Sequence, residues 1–256
     1  MMLRASLLAT MSGVCGTAAM SQNSVPDTPA AREARETAPQ LYAYTQDVLF
    51  GDLWKRPELS PRDRSIVTMS VLVANGQSAQ MTSHINLALT NGVKPGEITA
   101  LITHLAFYTG WPNAMSAVGV AKTVFASRAV DTKELSVLRR DLLPVNEASE
   151  NARAAHVASE IAPTAPALAR YTDEVLFDDL WRQPDLTPRD RSLITVSALV
   201  ARGHIEQLGS HLSRARDHGL TKVQAAEAVT QIAFYAGWPR AMSALPAIRV
   251  AFEDRK

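Results

Sequence analysis

An internal duplication constrains this chain more than any other feature. When the sequence is shifted by 127 residues, segment 37–125 aligns with segment 164–252 without a gap, and 42 of the 89 paired positions are identical. All four tryptophans and all six phenylalanines fall in matched pairs. Two copies this similar are expected to fold alike and to pack with pseudo-two-fold symmetry. They are too few and too long for a solenoid.

Each copy has the periodicity of helices. In the first copy, Ser60 can cap a helix that Pro61 opens, and Asn75-Gly76 is a suitable end. Apolar residues at helical spacing follow in segment 81–89, Pro95 opens a third helix, and Gly110-Trp111-Pro112 separates it from a fourth. No alternating strand pattern of useful length is present. We therefore predict an all-α protein made of two tandem helical repeats.

The regions outside the repeats predict export and a structured linker. In residues 1–22, Arg4 is the only charge, and a short apolar stretch is followed by small residues, an order typical of a secretory signal peptide. We expect an exported, periplasmic protein with a leader at 23–36. The alternatives are a disordered tail or a lipid anchor at Cys15. The linker 126–163 is predicted to be helical over 134–143 and 147–161.

The composition bears on two kinds of partner, nucleic acid and the membrane. The net charge is +1, so no basic field exists to hold nucleic acid through its phosphates. No apolar stretch is long enough to span a bilayer in the mature chain.

Three histidines are candidates for chemistry. His84 and His211 occupy matched positions on the apolar face of a helix. Each is either a general acid or base with a pKa shifted by burial, or a core histidine. His104 shares a helix face with Tyr108 and Trp111, and the second copy has Gln231 in its place. It is either catalytic, a metal ligand together with His84, or an interface residue.

Other polar and aromatic residues complete the candidate site. Arg64 and Arg191 recur near helix starts, where a guanidinium could bind an anionic substrate. Each copy keeps one carboxylate on its third helix, at different positions, and both could instead be solvated. The aromatic corner at the helix break is either a packing corner or a pocket wall. The acids and the corner residues are Glu97, Glu227, Tyr108, Trp111, Tyr235 and Trp238.

The motifs around these residues resemble those of the carboxymuconolactone decarboxylase family. The resemblance rests on segment 105–117, Leu-Ala-Phe-Tyr-Thr-Gly-Trp-Pro-Asn-Ala-Met-Ser-Ala, on Pro-Arg-Asp-Arg-Ser at 61–65, and on Gln80-x-x-x-His84. The same motifs recur in the second copy, so the resemblance covers nearly all of 37–252. It implies an all-helical fold, two family subunits fused in one chain, and a homo-oligomer.

The resemblance also implies a choice between two chemistries. One branch, similar to alkyl hydroperoxidase D, uses a Cys-x-x-Cys pair before a histidine, but here Gln77 and Gln80 precede His84. A thiol peroxidase needs a thiolate, so that branch is disfavoured. The other branch decarboxylates a carboxylated muconolactone without a cofactor. It implies proton transfer by His84 and His211, anion binding by Arg64 and Arg191, and a wall of Trp111 and Trp238.

Three functions therefore stand beside one another at this point. The first is a cofactor-free, metal-free decarboxylase or lactone-acting lyase on a small carboxylate. The second is a non-catalytic binding or assembly protein on the same scaffold. The third is a metal-dependent hydrolase or isomerase that uses His84 and His104.

Overall fold

The computed structural model describes residues 28–253, and over this range the prediction of an all-α protein is confirmed. The α-helices of this range are α1 (Pro29–Thr37), α2 (Pro39–Tyr44), α3 (Pro61–Ala74), α4 (Ser78–Thr90), α5 (Pro95–Thr109), α6 (Trp111–Ser127), α7 (Glu147–His156), α8 (Pro166–Tyr171), α9 (Pro188–Arg202), α10 (Ile205–Asp217), α11 (Lys222–Ala236) and α12 (Trp238–Ala251). Short π-helical turns lie at Thr45–Phe50, Val157–Ile161 and Thr172–Phe177, and 3-10 turns at Leu53–Lys55, Thr132–Glu134 and Leu180–Arg182.

Helix α3 and its copy α9 begin at the residues that the sequence predicts. The hydroxyl of Ser60 accepts a hydrogen bond from the Asp63 amide at 3.1 Å, and Thr187 does the same for Asp190. Such N-caps stabilise a helix by about 1 kcal/mol. Almost every residue of α3 and α9 beyond the first turn is buried. These two helices therefore form the centre of the molecule.

The two halves interlock around that centre. α3 packs on α9, α11 of the second half packs on α3, and α5 of the first half packs on α9. Arg62 donates to Asp190 at 2.9 Å, and Arg189 donates to Asp63 at 2.7 Å. These reciprocal ion pairs join the halves with the symmetry that the duplication predicts.

The linker prediction is correct in one part and wrong in another. Segment 147–161 is helical, as expected. Segment 134–143 contains only the end of a 3-10 turn, because its backbone groups bond to other partners. The Gln183 side chain accepts from the Arg139 amide at 2.9 Å and donates to the Arg139 carbonyl at 3.2 Å. The Leu143 amide donates to the Arg182 carbonyl at 2.7 Å.

Some expectations lie outside the described residues or remain open. The signal peptide at 1–22 and the start of the leader precede residue 28, while the rest of the leader holds α1. Within 28–253, no helix is both long enough and apolar enough to cross a membrane. Matched side chains of α6 and α12, Trp111 with Met115 and Trp238 with Met242, are more than half exposed. Self-association stays a prediction that light scattering can test.

Candidate functional site

The interlocked packing creates two equivalent clusters at the contacts of α11 with α3 and of α5 with α9. Each cluster takes side chains from both halves, an exchange that reading one copy at a time does not predict. We name them the His84 cluster and the His211 cluster. They consist of Trp54, His84 and Tyr235, and of Trp181, His211 and Tyr108, respectively.

The three rings of the His84 cluster hold one another in place. The His84 ring stacks on Trp54 with centroids 6.2 Å apart and meets the edge of Tyr235 at 5.2 Å. The indole N–H of Trp54 donates to the Tyr235 hydroxyl at 3.0 Å. Burial lowers the pKa of His84 to about 4 and raises the pKa of Tyr235. At neutral pH the imidazole is therefore uncharged and the phenol keeps its proton.

The His211 cluster repeats this geometry. The His211 ring stacks on Trp181 at 5.9 Å and meets Tyr108 edge-on at 5.4 Å. The indole N–H of Trp181 donates to the Tyr108 hydroxyl at 2.9 Å. Burial, with a smaller contribution from Arg214, lowers the pKa of His211 to about 4. The two histidines thus begin from the same protonation state.

A buried ion-pair network lies beside the His84 cluster. Arg64 is fully buried and donates to Glu227 at 2.7 Å and to Gln231 at 3.0 Å. Arg56 grips the same carboxylate through two nitrogens at 2.8 and 3.1 Å. Burial raises the pKa of Glu227, but the hydrogen bonds from Arg56 and Arg64 outweigh it, so the pKa lies below its usual value. Glu227 is therefore an anion that holds two cations.

The side chains around Arg191, the counterpart of Arg64, differ from those around Arg64. His104 stands where the first half uses Gln231, and its Nε2 lies 2.7 Å from the Thr195 hydroxyl. The same hydroxyl is within hydrogen-bonding distance of the Arg191 carbonyl, and a proton on Nε2 of His104 satisfies both contacts. Its Nδ1 then faces a guanidinium nitrogen of Arg191 at 3.4 Å. Burial first, then Arg191 and His211, lower the pKa of His104, so it is neutral.

His104 therefore belongs to the His211 cluster, and its pairing with His84 in the metal hypothesis is wrong. The physical reason is the exchange of helices, since α5 crosses to pack on α9. His104 is fully buried and stacks on Tyr108 at 4.9 Å. Over residues 28–253, no group of three or more His, Cys, Asp or Glu side chains is arranged to hold a metal ion.

The two clusters differ most in what covers the aromatic rings. A pocket of about 210 Å³ opens beside His84. Its walls come mainly from small and apolar side chains of α1, α2 and α4, namely Thr28, Ala30, Ala31, Ala34, Leu41, Tyr42, Thr45, Phe50, Ser83 and Leu87. No charged residue is among these lining positions. A carboxylate that entered this pocket would therefore meet no cationic side chain among the lining residues.

Guanidinium groups cover the rings of the His211 cluster. Arg214, which replaces Leu87, lies 5.0 Å from the Trp181 ring, and Arg153 lies 4.4 Å from the Phe177 ring. Glu150 accepts from both arginines, at 2.7 and 2.8 Å. Paired charges thus occupy the face that in the first half borders the pocket.

The remaining candidates lie elsewhere. Glu97 accepts from the Lys94 amide at 2.8 Å and from Arg62 at 2.7 Å, so it caps α5 and joins the ion pairs between the halves. Trp111 and Trp238 are 57% and 56% exposed and pack on phenylalanines of the preceding helix. The structure does not bring these three residues to either cluster, because the Gly110 and Gly237 breaks, with φ of 93° and 94°, turn α6 and α12 outward.

Sequence reasoning missed the residues that do border the histidines. Trp54 and Trp181 supply the stacked rings, and Arg56 is, with Arg64, one of the two arginines that bind the Glu227 carboxylate. The repeated Asp-Leu-Trp at 52–54 and 179–181 was the available signal for the tryptophans. No comparable signal exists for Arg56, because Gln183 replaces it in the second copy.

Comparison with known proteins agrees with this architecture. The model of the carboxymuconolactone decarboxylase family matches residues 39–123 and 166–249. A stretch of 87 residues, 34% of this chain, is 32% identical to a 4-carboxymuconolactone decarboxylase of Acinetobacter baylyi and covers 65% of that protein. A stretch of 73 residues, 28% of the chain, is 30% identical to a nitrosuccinic acid decarboxylase of Metarhizium robertsii and covers 51% of it.

In both comparisons the matched stretch spans less than two thirds of the relative. The two family matches together account for more than half of this chain, one in each repeat. The protein therefore belongs to the carboxymuconolactone decarboxylase family.

Proposed function

We propose that the protein is a cofactor-free decarboxylase or lactone-acting lyase for a small carboxylated substrate, and that the reaction takes place at the His84 cluster. The observation that carries the proposal is the uncharged pocket beside a neutral, partly buried histidine. Both relatives described above are named as decarboxylases of small carboxylic acids. The whole activity of those proteins is extended to this chain as part of the proposal.

The pocket favours loss of carbon dioxide by destabilising the charged ground state. A carboxylate beside Phe50, Leu41 and Leu87 exchanges part of its hydration for apolar contacts, whereas its negative charge spreads out as the carbon–carbon bond breaks. The electron pair of that bond moves into the unsaturated lactone, and its carbonyl oxygen becomes an enolate. We assign the hydrogen bond to this oxygen to Tyr235, which is protonated, is held by Trp54 and meets the His84 ring edge-on.

His84 then completes the reaction by delivering a proton to carbon. Decarboxylation of an anion consumes one proton, and the resting imidazole is neutral. Entry of the substrate anion raises the pKa of His84, because a nearby negative charge favours the imidazolium. The ring thus takes a proton from water when substrate binds and gives it to the enolate carbon after carbon dioxide leaves. Arg64 and Glu227 hold α3 and α11 in register behind these rings.

Carbon dioxide release from 4-carboxymuconolactone and related small lactone acids tests the proposal. We expect turnover by the wild type and a loss of roughly two to four orders of magnitude in His84→Gln, the usual size of lost acid–base assistance. His211→Gln is the matched control and should keep turnover within about twofold. Saturable binding without turnover would favour the binding-protein alternative. Equal losses in the two variants would reject the assignment to one cluster.

A further inference from the structure

A second cavity of about 210 Å³ lies beside Arg191, and the proposed reaction does not use it. Arg191 is buried and donates to Asp185 at 2.9 Å and to the Gln183 carbonyl at 2.8 Å. Asp185 also accepts from Ser136, and Asp179 accepts from the Gln183 amide. The charged groups of the wall are thus one guanidinium and two carboxylates.

The first half shows what this cavity is missing. Ala100 of the wall corresponds to Glu227, and Gln183 corresponds to Arg56. In the first half the Glu227 carboxylate lies on Arg64, the counterpart of Arg191. The second half therefore has neither a carboxylate nor a guanidinium at these two adjacent positions. Asp185 pairs with Arg191 instead, and an open cavity borders both positions.

The cation of the first half also has a defined environment. The Arg56 guanidinium lies 3.5 Å from Glu58 and is attracted by Asp52. The counterparts of these two acids are Asp185 and Asp179, and both line the cavity. A positive group placed where Arg56 stands would therefore meet two carboxylates. A negative group placed where Glu227 stands would meet the Arg191 guanidinium.

We propose that this cavity binds a small zwitterion, an α-amino acid or a close analogue with an apolar side chain. Its carboxylate takes the position of the Glu227 carboxylate on Arg191, and its ammonium takes the position of the Arg56 cation beside Asp185 and Asp179. The apolar residues of the wall would hold the side chain: Phe107, Val137, Leu138, Val175 and Leu180.

The charges of the wall select against simpler ligands. A plain carboxylate would add a third negative group around a single guanidinium that already pairs with Asp185. A plain amine would leave the Glu227 position beside Arg191 without an anion. Only a ligand with both charges restores the arrangement seen in the first half, so both charges are expected to contribute to affinity.

Calorimetric titration of the full chain with three probes of one shape tests the proposal. The probes are L-leucine, 4-methylpentanoate, which lacks the ammonium, and 3-methylbutylamine, which lacks the carboxylate. We expect saturable binding of leucine at one site per chain, and binding at least about tenfold weaker for each of the other two, because each loses a charge-assisted hydrogen bond. Absence of leucine binding at millimolar concentrations, or equal binding of 4-methylpentanoate, would overturn the proposal.

Variants locate the binding. Ala100→Glu places a carboxylate in the cavity and should weaken leucine binding at least tenfold, whereas Ala226→Glu adds the same group at an exposed position of α11 and should leave it unchanged. The double variant Ala100→Glu, Gln183→Arg rebuilds the first-half ion pair, so it should fold and still fail to bind. Unchanged leucine affinity in the double variant would contradict the site. Turnover at His84 is measured separately, so either proposal can fail alone.

Discussion

The His84 and His211 clusters share one aromatic geometry and differ in nearly everything around it. In both, a histidine stacks on a tryptophan whose indole N–H donates to a tyrosine. Leu87 borders an open pocket in one half, while Arg214 covers the rings in the other. The two copies therefore share the ring arrangement that keeps the histidine uncharged. They differ in whether a ligand can reach that histidine.

The same contrast extends to the ion pairs behind the rings. The first half holds its buried arginine with a carboxylate from the opposite half, Glu227. The second holds it with Asp185, six residues earlier on the same chain segment. Only the first arrangement uses ionic contacts at this position to join α3 to α11. We expect the halves to respond differently when these acids are removed.

The largest effect is expected from Glu227→Ala, measured as the free energy of unfolding in urea. The variant leaves Arg64 buried without its anion, which typically costs about 3–5 kcal/mol. Asp185→Asn should cost less, about 1–3 kcal/mol, because Asp185 is partly exposed and Arg191 keeps the Gln183 carbonyl. Adding Arg56→Gln to Glu227→Ala reproduces the second-half residues and should recover part of the loss. A larger effect of Asp185→Asn would reverse this comparison.

The next largest effect is expected on turnover, when Leu87 and Arg214 are each replaced by the residue found in the other half. Leu87→Arg brings a guanidinium to the pocket beside His84, where it would neutralise the substrate carboxylate and fill space. We expect a loss of roughly a hundredfold, about 2.7 kcal/mol, in kcat/KM. Arg214→Leu removes the cover from the other cluster and serves as the matched control. It should leave kcat/KM within about twofold, and unchanged turnover in Leu87→Arg would refute the role of the pocket.

Acid stability is the property in which the two halves should behave alike. The folded-state pKa values of His84 and His211 are about 4, below the ordinary value of 6.5. Between these values the unfolded chain binds more protons, so stability is retained above pH 6.5 and falls as the pH drops towards 4. The slope is up to about 1.4 kcal/mol per pH unit for each histidine. Urea midpoints for the two His→Gln variants should show similar, flatter acid profiles, and a difference between them would show that one ring is not buried.

The sequence predicted the all-α class and the main helices of each repeat because these depend on local signals. Capping residues, prolines at helix starts and apolar spacing located α3 to α6 and their copies. Helices α1, α2 and α8 and the short turns were not predicted, and the prediction for linker segment 134–143 was wrong. Its conformation is decided by bonds from Gln183 and Arg182, which are distant in sequence and carry no local signal.

The candidate site was only partly predictable for a related reason. His84, His211, Arg64 and Arg191 could be selected from recurrence, but which residues meet depends on how the halves exchange α5 and α11. Reading one copy at a time grouped His104 with His84, whereas the exchange brings it to His211. Trp111 was selected for its place in the aromatic corner at the helix break, whereas the glycine break turns it to the surface.

The central claim, that one of two equally neutral histidines meets the substrate, is tested most directly by imidazole ¹⁵N NMR. The probe is 5-oxotetrahydrofuran-2-carboxylate, a saturated carboxylated lactone without the conjugated electron sink that decarboxylation needs, and His→Gln variants assign the signals. The account predicts that the probe raises the pKa of His84 from about 4 and leaves the pKa of His211 at about 4. Equal shifts in both rings, or a shift confined to His211, would contradict it.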